Sequence, residues 1–134
     1  MTPNPEDLIG YKLMLAFEGY TPPTRILDWI ANRRVGGFSL FRPHNYDNPA
    51  QVRELTAALQ RAARAAGQAP LLIATDQEGG QLAAMGEGTT QFAGNMALGA
   101  TRDPDLARRV GRAIGLELAA IGVNINYGPV LDLN

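Results

Sequence analysis

One run of ten residues constrains this chain more than any other: Leu71-Leu72-Ile73-Ala74-Thr75-Asp76-Gln77-Glu78-Gly79-Gly80. Five uncharged residues stop abruptly at a carboxylate, an amide, a second carboxylate and two glycines. An apolar run of this length, introduced by Pro70 and closed by Gly-Gly, predicts a strand of a parallel sheet, buried on both faces. Acidic groups at the carboxyl end of such a strand lie where α/β proteins build their ligand crevices from βα loops.

The flanking sequence repeats the same unit. Residues 1–8 read as a polar, proline-bearing lead-in, and Leu13 to Phe17 as a first strand. Pro22-Pro23 opens an amphipathic helix with Ile26, Trp29 and Ile30 at helical spacing, ended by Gly36-Gly37. Phe38 to Phe41 is a second strand, leading into the polar loop Arg42-Pro43-His44-Asn45. A second helix follows with an N-terminal signature: Asn48 as cap, Pro49 at the first helical position and Gln51 three residues after the cap. Val52, Leu55, Leu59, Ala62 and Ala66 form its apolar stripe, and Gly67 its C′ residue. Residues 81–100 show no clear periodicity and read as a long loop. Asp103-Pro104 starts a third helix with Leu106, Val110, Ala113, Ile114, Leu118 and Ile121 on one face, Glu117 beside that stripe, and Gly122 at its end. Val123 to Tyr127 is a fourth strand, running on to Asp132 and Asn134.

Strict alternation of short apolar strands with helices implies right-handed crossovers and a parallel sheet. Four strands and three helices make about half of a (β/α)8 TIM-type barrel, whose usual size is about 250 residues. The expectation is a single domain, residues 1–134, that is the N-terminal part of a barrel and is truncated. Its open edges would be covered by the rest of the barrel or by self-association. A hydrophobic content of 46% excludes a disordered chain, and a net charge of -1 without charged blocks gives no footprint for nucleic acid or an anionic membrane. No apolar run approaches a membrane span, and the N-terminus lacks the pattern of a secretory signal, so a cytoplasmic location is expected. The absence of cysteine removes disulfides and thiolate metal sites.

Asp76 is the first candidate ligand-binding residue, on its strand-end position. Glu78, two residues on, would point the same way if the strand continued. A glycosidase needs two carboxyl groups about 5–5.5 Å or about 6.5–9.5 Å apart. Gly79-Gly80 signals a turn, however, and neighbouring carboxylates on one turn do not face opposite sides of a substrate bond. A structural role for Glu78, capping N–H groups of the loop, stands beside a functional one. A divalent ion at the pair is a further reading, in which the chain belongs to a metal-dependent lyase or aldolase; no phosphate-binding glycine loop with a lysine supports it. His44 and Arg42 fall at the same end as Asp76, as solvated loop residues or as ligand contacts. Asp132 and Asn134 close the fourth strand at that end too, where a turn or cap role competes. Asn124 and Asn126 read as hydrogen-bonded polar residues of a barrel interior, and Met85, Met96 and Trp29 as packing residues. Dinucleotide, serine-hydrolase and zinc-protease motifs are missing.

The segment from Pro70 to Gly80 resembles the Asp-Gln-Glu-Gly-Gly segment of family 3 glycoside hydrolases, in the branch of bacterial β-N-acetylhexosaminidases. Gly36-Gly-Phe-Ser-Leu-Phe41, Met96-Ala-Leu-Gly-Ala-Thr101 and Gly122-Val-Asn-Ile-Asn-Tyr-Gly-Pro-Val-Leu-Asp132 agree in order and spacing, so that the resemblance covers about Ile9 to Asn134. It implies a barrel that cleaves a terminal β-linked sugar with retention, without cofactor or metal. It gives Asp76 the role of binding hydroxyls of the non-reducing sugar; Glu78 and Asp132 are read as supports behind the site. Two positions depart from the branch: Ala84 stands where an arginine binds substrate, and Gln81 where another arginine is common. The resemblance also implies that a sugar-binding arginine, a Lys-His pair, the acid/base loop and the aspartate nucleophile come later than Asn134, so this piece would hold part of the substrate site and no catalytic residue. The competing expectation is a non-catalytic half-barrel that self-associates or binds sugar.

Overall fold

The computed structural model describes residues 4–132, so Asn134 lies outside the described residues. The elements, in chain order, are α1 (Pro5–Gly10), β1 (Met14–Leu15), α2 (Thr24–Arg33), β2 (Gly37–Ser39), α3 (Arg42–Asn45), α4 (Pro49–Ala65), β3 (Leu72–Thr75), β4 (Gln77–Gly79), β5 (Leu82–Ala83), α5 (Asn95–Ala100), α6 (Pro104–Ala120) and β6 (Ile125–Asn126). β1, β2, β3 and β6 form one sheet in that order, parallel throughout. This is the expected half of a TIM-type barrel, with β3 between β2 and β6; the expected burial of its run is found for Leu71 and Ile73 to Thr75 but not for Leu72, which lies on the open face of the sheet.

Register separates the two faces of the sheet. Leu15, Phe38 and Ile73 are paired partners and share one face. They pack in one core with Ile26 and Ile30 of α2, Val52, Leu55 and Leu59 of α4, and Val110, Ile114 and Leu118 of α6. Phe17 meets Phe38 edge to face with ring centroids 5.5 Å apart. Met14, Gly37 and Leu72 share the other face, as do Ser39, Ala74 and Ile125. There Leu72 is 47% exposed, and the Ser39 and Tyr127 hydroxyls hydrogen-bond at 3.0 Å.

The helix ends follow their capping chemistry. The Asn48 side chain accepts from Gln51 N at 3.0 Å and that of Asp103 from Leu106 N at 3.0 Å. Gln51 reaches back one residue further than a capping box requires, accepting from Asp47 N. Gly67, at φ +65°, follows α4 as expected. Near its middle, Thr56 lies against Gly122 (φ +81°) and its hydroxyl donates to the Ile121 carbonyl at 2.8 Å.

Several expectations are corrected. The lead-in contains α1. The left-handed residue after α2 is Arg34, not a glycine of the Gly36-Gly37 pair. Those two glycines serve the sheet instead: a Cβ on Gly36 would overlap the Tyr11 carbonyl, and one on Gly37 that of Leu72. Residues 42–45 are a turn of helix rather than a loop. On α4, Thr56 and Ala63 are the buried partners of the stripe, with Ala62 only half-buried. Residues 81–100 are not one loop. Leu82–Ala83 pairs antiparallel with Gln77–Gly79, and Asn95–Ala100 is a helix. Met85 is fully buried, but Met96 is 78% and Trp29 40% exposed, so neither of these two is a core residue here.

Candidate functional site

An open cleft of about 450 Å³ lies above the carboxyl ends of β2 and β3, lined by Phe41, Arg42, Pro43, His44, Asp76 and residues 81–84. The strand order brings these segments together: β2 is paired with β3, so the residues that follow each strand meet at one end.

Asp76 sits half-buried between the last residue of β3 and the first of β4. Among the described residues, no hydrogen bond or ion pair engages its carboxylate, although its own carbonyl accepts from Ala84 N at 3.1 Å. A half-buried carboxylate facing a cleft with free acceptor capacity is suited to ligand hydroxyls, which donate to it in short, charge-assisted bonds.

The walls of the cleft are fixed by buried amides that sequence reasoning did not single out for this task. The Gln77 side chain, 4% exposed, accepts from Met85 N at 2.9 Å and donates to Met85 O at 3.4 Å, which holds the wall formed by residues 81–84. The Asn126 side chain in turn accepts from Gln77 N and donates to Gln77 O, both at 2.9 Å. Two residues earlier, just before β6, Asn124 accepts from Ile73 N at 2.8 Å and donates to Leu71 O at 3.0 Å. The expected hydrogen bonding of Asn124 and Asn126 is therefore found, and its partners are the main chain of the neighbouring strands. On the other wall, Asn45 (1% exposed) accepts from Phe41 N and donates to the carbonyls of Phe17 and Gly19, which locks α3 to the loop after β1. The visible signal for Gln77 and Asn45 was an amide inside a stretch with a fixed local structure, where an apolar residue would leave backbone groups unpaired.

His44 reaches the cleft from α3 and lies 3.6 Å from the Glu18 carboxylate, both side chains being well exposed. Arg42 makes no ion pair among the described residues; its guanidinium lies over Gly86. Tyr46 donates to the Glu87 carbonyl; burial pushes its hydroxyl pKa up, with the Arg42 charge opposing.

Glu78 does not join Asp76. It is half-buried in a second cleft of about 320 Å³ with Leu98, Val110, Ile114 and Gly128, and it caps no loop N–H among the described residues. Glu117 performs that service instead, accepting from Thr90 N at 3.0 Å and from the Thr90 hydroxyl. Asp132 is exposed and outside helix and strand. Among the described residues no three His, Cys, Asp or Glu side chains gather as a metal site would require. Ala84 is buried in the cleft wall and Gln81 is exposed at its mouth.

Residues 11–134 match the model of the Glycosyl hydrolase family 3 N terminal domain. The Beta-hexosaminidase A of Pseudoalteromonas piscicida is 40% identical over 95% of this chain and 25% of its own. The Beta-hexosaminidase of Nitrosomonas eutropha is 40% identical over 91% of this chain and 35% of its own. Among solved structures, a glycoside hydrolase family 3 beta-N-acetylglucosaminidase from Paenibacillus sp. str. FPU-7 superposes with a TM-score of 0.95 at 40% identity, over 99% of this chain and 25% of that one. NagZ from Neisseria gonorrhoeae, in complex with N-trifluoroacetyl-D-glucosamine, superposes with a TM-score of 0.80 at 30% identity, over 91% and 37%. The chain thus spans between a quarter and somewhat over a third of the length of these relatives.

Proposed function

This chain belongs to glycoside hydrolase family 3, and we propose that the whole protein hydrolyses terminal β-linked N-acetylhexosaminides with retention, Asp76 binding hydroxyls of the terminal sugar. The observation that carries this is the unpartnered, half-buried Asp76 carboxylate at the strand-end cleft. The relatives bearing hexosaminidase and N-acetylglucosaminidase names support the choice of sugar.

The cleft holds one carboxylate, Asp76. Retaining glycosidases of the usual kind use two, about 5–5.5 Å apart; with one carboxylate here among the described residues, Asp76 is proposed as a sugar reader, and the nucleophile and acid/base are assigned to the rest of the protein. Glu78, in the neighbouring cleft, and Asp132, exposed, are assigned at most supporting positions away from the sugar contact, so their loss should change turnover little. No metal or cofactor enters the proposal. Among the described residues no helix is long and apolar enough to cross a membrane; the proposed location is the cytoplasm, which fractionation of the native protein tests.

The deciding experiment uses the complete protein and an aryl N-acetyl-β-glucosaminide. Turnover that is lost in Asp76→Ala supports the proposal. Turnover unchanged in that variant would remove Asp76 from the site. The isolated 134 residues are expected to show none. A second reading, a non-catalytic half-barrel that self-associates, is favoured by the exposed apolar residues Ile9 (63%), Leu13 (46%) and Trp29 (40%) around one groove beside β1. Sedimentation of the isolated piece tests it: a discrete dimer without glycosidase activity in the complete protein would replace the first reading.

A further inference from the structure

The cleft that holds Asp76 also holds a seated cation. We propose that Arg42 is a substrate-binding residue, its guanidinium donating to oxygens of the same sugar whose hydroxyls Asp76 accepts. This rests on the proposed function of the cleft and names a second residue of it.

Three observations carry the inference. First, Arg42 and Asp76 line one cleft and carry opposite charges, yet neither has an ion-pair partner among the described residues. Oppositely charged groups held apart across a cleft leave both sets of hydrogen-bonding capacity for a ligand between them. A sugar supplies both complements, since its hydroxyls donate to a carboxylate and its ring, hydroxyl and acetamido oxygens accept from a guanidinium.

Second, the guanidinium has a built seat. A Cβ on Gly86 would stand 2.8 Å from Arg42 Cζ and Nη2 and 2.9 Å from Nε, and these are its three nearest atoms. Gly86 is buried and is not among the glycines with positive φ, so its backbone does not require glycine. The head group of Arg42 is what a side chain at position 86 would displace. A planar fork laid flat on a glycine loses less freedom on binding than a solvated one.

Third, the seat is tied to Asp76. Gln77, the residue after Asp76, pins Met85 through its amide, and Met85 precedes Gly86. Gly86 O accepts from the Thr89 hydroxyl at 2.9 Å and from Gln91 Nε2 at 3.1 Å. On the other side, Asn45 locks the helical turn that carries Arg42. Arg42 is exposed as a whole, and the bland alternative is a solvated surface arginine; the buried glycine beneath its guanidinium favours the seat.

The test is a double-mutant cycle in the complete protein, with Asp76→Ala as reference and an aryl N-acetyl-β-glucosaminide as substrate. Arg42→Ala is expected to raise KM about tenfold to a hundredfold, the range for hydrogen bonds from a charged donor, with a smaller change in kcat. Arg42→Lys should keep most of that loss, because an ammonium keeps the charge without the fork. Gly86→Ala should raise KM by unseating the guanidinium, and Arg42→Ala with Gly86→Ala should be no worse than Arg42→Ala alone. Calorimetric titration with N-acetylglucosamine should show the same order of Kd. If Arg42→Ala leaves KM and Kd unchanged while Asp76→Ala abolishes turnover, the Arg42 role is overturned and the cleft reading stands. Fully additive effects of the two single variants would also overturn it, since Gly86 would then act without Arg42. If Asp76→Ala itself behaves as wild type, the cleft reading fails and the Arg42 proposal falls with it.

Discussion

Asp76 and Glu78 are separated by one residue and live in different surroundings. Asp76 opens onto a cleft beside Arg42 and His44, while Glu78 lies along α6 among Leu98, Val110 and Ile114, its stem passing Gly128. Side chains two apart in a strand share a face. That rule does not reach from one to the other here, because the chain changes sheets at Asp76: β3 ends at Thr75 and β4 opens a separate hairpin at Gln77. Gln77 enforces the change, its side chain fastened to Met85 and its main chain to Asn126. Spacing in the sequence therefore pairs these carboxylates, and the folded chain divides them.

The division predicts a ladder of effects. The largest belongs to Asp76→Ala in the complete protein. Loss of two charge-assisted hydrogen bonds at about 1.5–3 kcal/mol each should lower kcat/KM on the order of a thousandfold. A value within a few-fold of wild type would erase the functional side of the contrast. Next comes Gln77→Ala, which leaves the Met85 N–H buried and unpaired. Denaturant titration should show a loss of about 1–3 kcal/mol, accompanied by a raised KM as the wall loosens; an unchanged midpoint would mean that the hairpin holds without its amide. Asn126→Ala attacks the same junction from β6, with an expected cost of about 1–2 kcal/mol, since Asn126 itself is only half-buried. Stability equal to wild type would show that the β3–β6 ladder alone orients Gln77. The smallest effect is expected for Glu78→Gln: stability within about 0.5 kcal/mol and kcat/KM within about twofold. A hundredfold loss there would bring Glu78 back into the site and collapse the contrast.

The parts legible in the sequence were those where one physical signal dominated. The apolar run before Asp76, the Asn48 and Asp103 caps and the stripe of α6 all predicted their elements, and Asp76 falls where strand-end logic puts it. The hairpin of β4 and β5 was not legible because its glycines, Gly79 at φ +86° and Gly80 at φ +63°, look like a simple turn. α5 buries none of its residues, so it has no apolar period to detect. Gly36 and Gly37 were ambiguous, since a helix stop and a close approach of strands both require the absence of a Cβ, and only the fold shows which applies. The amides of Gln77 and Asn45 carry no period at all. What they satisfy is main chain between 4 and 28 residues away, in a pairing that exists only after folding.

The contact between Thr56 and Gly122 has a consequence for how such a chain can vary. The α4 threonine fills the space that a side chain at 122 would need, and its hydroxyl saturates the carbonyl next door. A larger residue at 122 demands a smaller one at 56, and the smaller one orphans the Ile121 carbonyl. A position on α4 and one in the turn after α6 are thus tied into one heritable unit, and drift at either is possible only by a joint change.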